Sequence, residues 1–140
     1  AKGMFYGIQF HHTRPHFIRA VMEGVAYSLR HNIEVAAEAG AQAQTLHAMG
    51  GAANSLVWTQ IKSDVTGCPI AVPASDTATT LGAAILAGVG VGVYGCFDQA
   101  VRMTLRMQRL HEPNPAHRAA YDAGYERYRR LYERTKEGSL

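Results

Sequence analysis

The sequence predicts an α/β fold in which short strands alternate with helices and pair in parallel. Three stretches carry that prediction. Thr13 to Gly40 repeats apolar residues every three or four positions, as an amphipathic helix does. Thr45 to Met49 reads as a short strand that runs into Gly50-Gly51 and then a helix cap. Cys68 to Pro73 (CPIAVP) reads as a second short strand set between helical stretches. The chain has 140 residues, 47% of them hydrophobic. That suits one domain burying roughly two-thirds of its unfolded surface.

Each element has its own signals. Residues 1 to 12 mix glycine and aromatics and read as an extended or looped lead-in. Thr13 can cap the first helix, and Pro15 falls in its first turn, where a missing N–H costs nothing. Ile18, Met22, Val25, Leu29, Ile33 and Ala36 should share its apolar face, and Gly40 suits a left-handed stop. Asn54 or Ser55 caps a second helix to about Thr66, with Leu56, Ile61 and Val65 as its buried stripe and Trp58 half-buried. Gly67 ends it. Asp76 or Thr77 begins a third helix with Leu81, Ile85 and Val89 on one face. Gly82, Ala83, Ala84, Ala87 and Gly88 make that helix slim enough for close packing. Val89 to Gly95 reads as a glycine-rich loop. Val101, Met103, Leu105 and Met107 alternate with polar residues and favour a strand. Asn114-Pro115 opens the last helix, which runs to about Lys136 with Tyr121, Tyr125, Tyr128 and Tyr132 on one packing face. So few strands, and an opening Ala1 without an initiator Met, give the expectation of a piece of a longer chain.

Composition excludes several classes. The formal charge is +3, yet the basic residues of the last helix alternate with acids, which argues against nucleic acid. The two cysteines, Cys68 and Cys96, are too few for a disulfide scaffold or a Cys-based zinc site. Free thiols point to a cytoplasmic setting. No apolar run reaches the ~18–20 residues that cross a bilayer.

The best place for chemistry is Leu46 to Ser55 (LHAMGGAANS). Gly50 and Gly51 permit unusual backbone angles and close approach of a flat ligand. The free N–H groups of the following helix suit polar or anionic groups. A lone glycine pair often marks only a turn, and the stretch is not a P-loop. His11, His12 and His16 are close in sequence, but Pro15 interrupts the helical spacing a metal pair needs, so capping or solvated roles are expected. Glu23 should pair with Arg19 one turn away. Asp64 and Asp76 sit at helix ends, and Ser28, Ser55 and Ser63 lack a His/Asp constellation.

Four blocks occur in a telling order: GMFYGIQFHHTRPHFIRAVMEGVAYSLR, AMGGAANSLVWTQIKSDVTGCPI, TLGAAILAGVGVGVYGCF and HEPNPAHRAAYDAGYERYRRLYE. Together they resemble the C-terminal region of the FGGY carbohydrate kinases, the xylulokinase-like pentulose kinases in particular. The resemblance covers nearly the whole chain. It implies part of a ribonuclease-H-like ATPase domain of the actin/hexokinase superfamily, with residues 1–140 on the nucleotide side. It implies ATP and Mg²⁺ as cofactors and a small sugar as the phosphoryl acceptor. By the same resemblance Gly50, Gly51, Ala52, Asn54 and Ser55 contact adenosine, and Leu81 to Ala84 belong to the helix at the interdomain hinge. The family's Asp-x-Gly-Thr phosphate loop, catalytic aspartate and metal-holding parts are not in these residues, so no catalytic or metal residue is assigned and the isolated chain is expected to be inactive. The alternatives are a self-associating, homo-oligomeric interaction module, built on an open sheet edge and the tyrosine face, and a degenerate kinase domain.

Overall fold

A computed structural model of the chain describes residues 3–74 and 78–136. Helix α1 spans Arg14–Glu38. Its first turn is closed by a local exchange in which the Thr13 amide donates to His16 Nδ1 at 3.1 Å and Thr13 Oγ1 lies 3.0 Å from the same nitrogen. The chain then forms β1 (Leu46–His47), a 3-10 turn (Gly51–Asn54) and α2 (Leu56–Thr66). Strand β2 (Ile70–Pro73), α3 (Ala78–Gly90), α4 (Phe97–Thr104) and β3 (Met107–His111) follow. A second 3-10 turn (Pro115–His117) leads into α5 (Arg118–Thr135).

The sheet has three strands in the order β1-β2-β3. Leu46 pairs with Ile70 and His47 with Ala71 in parallel, as the alternation of strand and helix predicts. Strand β3 corrects the all-parallel expectation: it runs antiparallel to β2, pairing Ile70 with His111 and Val72 with Arg109. Two helices, not one, connect β2 to β3, and the second adds one more reversal of direction. The ladder slips between Val72 and Pro73, where proline has no N–H to give.

Strand β2 is central, and Ile70, Ala71 and Val72 are buried. Over it, Ala26 of α1, Ile61 and Val65 of α2 and Tyr121 of α5 form the core, with Met22 and Tyr27 packed against them. Four expectations need correction. In α1 Ala26 is buried and Met22, one turn before it, is partly buried, while Ile18 and Val25 stay 47% exposed. Small Ala26 lets α2 come close, so the contact follows the Ala edge of a wider apolar stripe. In α2, Ile61 and Val65 are buried but Leu56, in the first turn, is 57% exposed. Residues 97–104 form a helix rather than part of a strand, and β3 begins only at Met107. There Gln99 accepts the Gly95 amide at 2.7 Å, Asp98 sits in the first turn, and Ala100 is wholly buried. Phe97, Ala100, Val101 and Thr104 therefore obey helical spacing, which outweighs the alternation of Val101, Met103 and Leu105. Helix α3 extends to Gly90, into the stretch expected to be loop, and packs on α4. The expected start of α3 at Asp76 or Thr77 lies outside the described residues.

Glycine 67 ends α2 in the left-handed region at φ 71°, as expected. Close packing on α3 occurs at Gly88, where an added Cβ would lie 2.7 Å from the ring of Tyr94 in the turn that follows the helix, and not at Gly82, over which none of the described residues lies within 4 Å. The tyrosine face is a packing face at its N-terminal end. Tyr121 and Tyr125 are buried, and the Tyr27 ring sits 5.8–6.4 Å from those of Tyr121, Tyr125 and Tyr128. Tyr132 is 58% exposed.

Polar ties fasten the helices. Arg30 donates from Nε to Glu34 at 3.0 Å and from Nη1 to Asp122 at 2.6 Å, and its guanidinium lies 4.3 Å from the centre of the Tyr125 ring. Asp64 is buried and accepts from the Gln60 side chain and the Asn114 amide, both at 2.8 Å, and lies 2.8 Å from His117 Nδ1. Ser63 Oγ lies 2.9 Å from the carbonyl oxygens of Cys68 and His111. These two α2 side chains thus fix the entry and exit of the sheet, which explains polar groups in the core without catalysis.

Candidate functional site

Strand β1 delivers the chain to Gly50, whose φ of 81° and ψ of 179° only glycine adopts readily. The backbone then tightens into the 3-10 turn, with Ala53 N donating to Gly50 O at 2.9 Å. Ser55 caps α2 by accepting the Trp58 amide at 3.3 Å. Of the two caps the sequence offered, Ser55 is the one used. The turn therefore has a defined shape: a left-handed residue, one turn of tight helix, and an α-helix N-terminus in immediate succession.

Gly51 differs from Gly50. Its φ is not positive, and a Cβ added to it would meet nothing within 4 Å. Neither conformation nor internal packing demands glycine there. Gly51, Ala52 and Asn54 are exposed, Gly50 and Ser55 are half-buried, and Ala53 alone points inward, 4% exposed. Among the described residues nothing lies within 4 Å of a Cβ added at either glycine, so a flat ligand can reach main chain at this point. The structure brings all five sequence-singled residues onto one continuous bend.

The bend is anchored from below by residues the sequence did not single out. Arg109 of β3 donates from Nη2 to the Ala53 carbonyl at 2.7 Å, and Thr59 Oγ1 donates to the Ser55 carbonyl at 2.9 Å while lying 3.3 Å from the Ala53 oxygen. His111, two residues along β3, has Nδ1 3.1 Å from Gln60 Oε1. Burial, then the Arg109 charge, hold its imidazole below the ordinary value. Arg109 gave no sequence signal, because one arginine in a polar strand has no periodicity to betray its reach.

Other sequence candidates resolve into structure. His11, His12 and His16 cluster, with ring centroids 4.4–6.3 Å apart. His12 Nδ1 accepts the Gln9 amide at 3.1 Å and His16 closes α1, so both cap backbone as expected. Among the described residues no group of three or more His, Cys, Asp or Glu is placed to hold a metal ion. Glu23 pairs with Arg19 at 2.7 Å, as its spacing predicts, and accepts from the Tyr121 hydroxyl at 3.3 Å. A cavity of about 410 Å³ lies beside that pair, lined by Phe5, Tyr6, His12, Phe17 and Arg127 among others. It is separate from the glycine bend. Among the described residues no helix is long and apolar enough to cross a membrane.

Comparison with known proteins gives the class and then the family. The chain superimposes on a crystal structure of xylulose kinase from Rhodospirillum rubrum with a TM-score of 0.88 and 32% identity, covering 98% of this chain and 28% of that one. It superimposes on a Plasmodium falciparum glycerol kinase solved with ADP at a TM-score of 0.76 and 26% identity, over 93% of this chain and 26% of that one. The fold is therefore that of the actin/hexokinase-like sugar kinases, of which this α/β unit is a part. Residues 1–91 match the FGGY family of carbohydrate kinases, C-terminal domain, and the chain belongs to that family. A probable L-xylulose kinase from Pasteurella multocida is 41% identical over 128 residues, 91% of this chain and 25% of that protein. The chain spans about a quarter of the length of the curated relatives it matches.

Proposed function

We propose that this chain is the nucleotide-side portion of an ATP-dependent kinase that phosphorylates a hydroxyl of a pentulose-like sugar. Adenosine lies on the bend formed by Gly50, Gly51, Ala52, Asn54 and Ser55. One observation carries the placement: at the bend between Gly50 and the N-terminus of α2, Gly51 has neither a left-handed backbone nor, among the described residues, a neighbour where its Cβ would be. Its missing side chain leaves main chain open to a partner outside the fold. The relative solved with ADP and the names of the xylulose kinase relatives support the nucleotide and the sugar class.

The residues present do part of the work. Gly50 and Gly51 offer flat backbone to the purine. Asn54 offers a side-chain amide, and Ser55 ends the bend where the first N–H groups of α2 are available. ATP supplies the phosphoryl group, with Mg²⁺ neutralising its charge. Phosphoryl transfer further requires a phosphate loop, metal ligands and a base that takes the sugar proton. The chain's share is to bind and orient the nucleoside.

Backbone amide shifts of the chain titrated with ADP test the placement. The largest changes are expected at Gly50 to Ser55 and at Trp58. Changes confined to the cavity beside Arg19 and Glu23 would place the nucleotide elsewhere.

A second reading, self-association, is favoured by the exposed apolar residues Ile18, Val21 and Val25 along α1. Light scattering separates the two by showing a monomer or a larger species.

A further inference from the structure

We infer that Arg109 is a positioning residue for the nucleoside bend, acting through the carbonyl of Ala53; the inference rests on the adenosine placement proposed above. Arg109 lies on β3, far along the chain from Gly50, and is paired in the sheet with Val72. Its Nη2 reaches under the bend to the Ala53 carbonyl at 2.7 Å. Ala53 is the single inward-facing residue of the 3-10 turn, 4% exposed, so its carbonyl is the handle by which the interior can hold that turn. Thr59 Oγ1, on α2 one turn after the Ser55 cap, donates to the Ser55 carbonyl at 2.9 Å and lies 3.3 Å from the Ala53 oxygen. The cationic donor from the sheet is thus the principal partner of the Ala53 carbonyl, with the Thr59 hydroxyl beside it.

The consequence is directional. The Gly50 carbonyl receives the Ala53 amide at 2.9 Å, so Ala53 is bonded on both sides of its peptide: outward to Gly50, inward to Arg109. Rotation of the bend about Gly50, the residue with the freest backbone, must break one of these bonds. The charge-assisted one is the stronger. Gly51 and Ala52, exposed and lying between Gly50 and Ala53, are held in place through these two bonds. Arg109 therefore orders the surface that meets the purine without touching the ligand, and lowers the ordering cost at binding. Its Nε is buried without a hydrogen-bond partner among the described residues.

The test uses the 140-residue chain, adenosine as probe, and the emission of Trp58, the sole tryptophan, which lies three residues beyond Ser55. Arg109→Met keeps the length of the side chain but cannot donate. It should weaken adenosine binding about tenfold, the size expected for one lost charge-assisted bond. It should also broaden the Gly51 and Ala52 amide resonances of the free chain. Arg109→Lys, which keeps a donor, should restore part of the affinity. Thr59→Val removes the hydroxyl that bonds the Ser55 carbonyl and lies beside the Ala53 oxygen, and should weaken adenosine by a smaller factor if Arg109→Met fails to fold. A merely structural role would lower the unfolding temperature but leave adenosine affinity and the two amide resonances of the folded variants at wild-type values, and that result overturns the inference. Gly51→Val separates the two levels. If Gly51→Val abolishes binding and the Arg109 and Thr59 variants bind as wild type does, the placement stands and the positioning role falls. If Gly51→Val binds adenosine unchanged, or the wild-type chain does not bind it, the placement itself falls.

Discussion

At the scale of single residues, Asp64 shows how a buried charge is made stable. Burial opposes its ionisation. The Asn114 amide, the His117 ring and the Gln60 amide outweigh that penalty and hold the carboxyl below its ordinary value. The unfolded chain then binds a proton at higher pH than the folded one does. The contribution of Asp64 is present above the unfolded carboxylate value of about 4 and is lost as pH falls below it. Urea unfolding as a function of pH should show stability declining on acidification below about pH 4. Asp64→Asn should cost about 2 kcal/mol at neutral pH, since it leaves buried donors imperfectly paired, and should flatten that decline. An unchanged pH profile in the variant would remove Asp64 from the account. The sequence placed Asp64 at a helix end and asked no more of it. Its partners Asn114 and His117 come from another part of the chain, and such pairings leave no local pattern.

At the scale of elements, local spacing made much of the fold legible. Thr13 and Pro15 marked the start of α1, Gly67 the end of α2, Asn114 the last turn, and Cys68 to Pro73 the central strand. Each of these is a cap, a left-handed stop or an apolar run, and each acts within a few residues. What failed was decided by tertiary contact. The stripe on α1 was correctly apolar, but the crossing of α2 buries Ala26 and leaves Val25 outside. Alternation at Val101 to Met107 mimicked a strand because α4 is short and its outward Met103 is apolar, 64% exposed. The same logic identifies Arg30 as the tie between α1 and α5. Arg30→Ala should cost about 1–2 kcal/mol, discounted because its partners Glu34 and Asp122 are 41% and 42% exposed at the side chain. Thermal unfolding measures it, and a variant as stable as wild type would show that the core alone holds α5.

At the scale of the whole molecule, the chain forms a small sheet with helices and a glycine bend, and spans about a quarter of its curated relatives. The bend and its Ser55 cap were legible from sequence because glycine pairs and caps are local signals, while the nucleoside contacts of its five residues are a proposal drawn from the family resemblance. Their anchors, Arg109 and Thr59, were not, because they act across the sheet and through the core. In the proposed division of labour the chain binds and orients the nucleoside, and its sequence carries no Asp-x-Gly-Thr phosphate loop. With ATP, Mg²⁺ and pentuloses, the isolated chain is therefore expected to show no turnover above background in a coupled ADP assay, and sustained turnover would contradict that division of labour. The central claim, that a nucleoside lies against main chain at Gly51, is tested most directly in a full-length kinase containing this segment. Gly51→Val should raise the KM for ATP about tenfold or more, the penalty of a side chain standing where the purine must lie, and leave the KM for sugar near its starting value. An unchanged KM for ATP would contradict it.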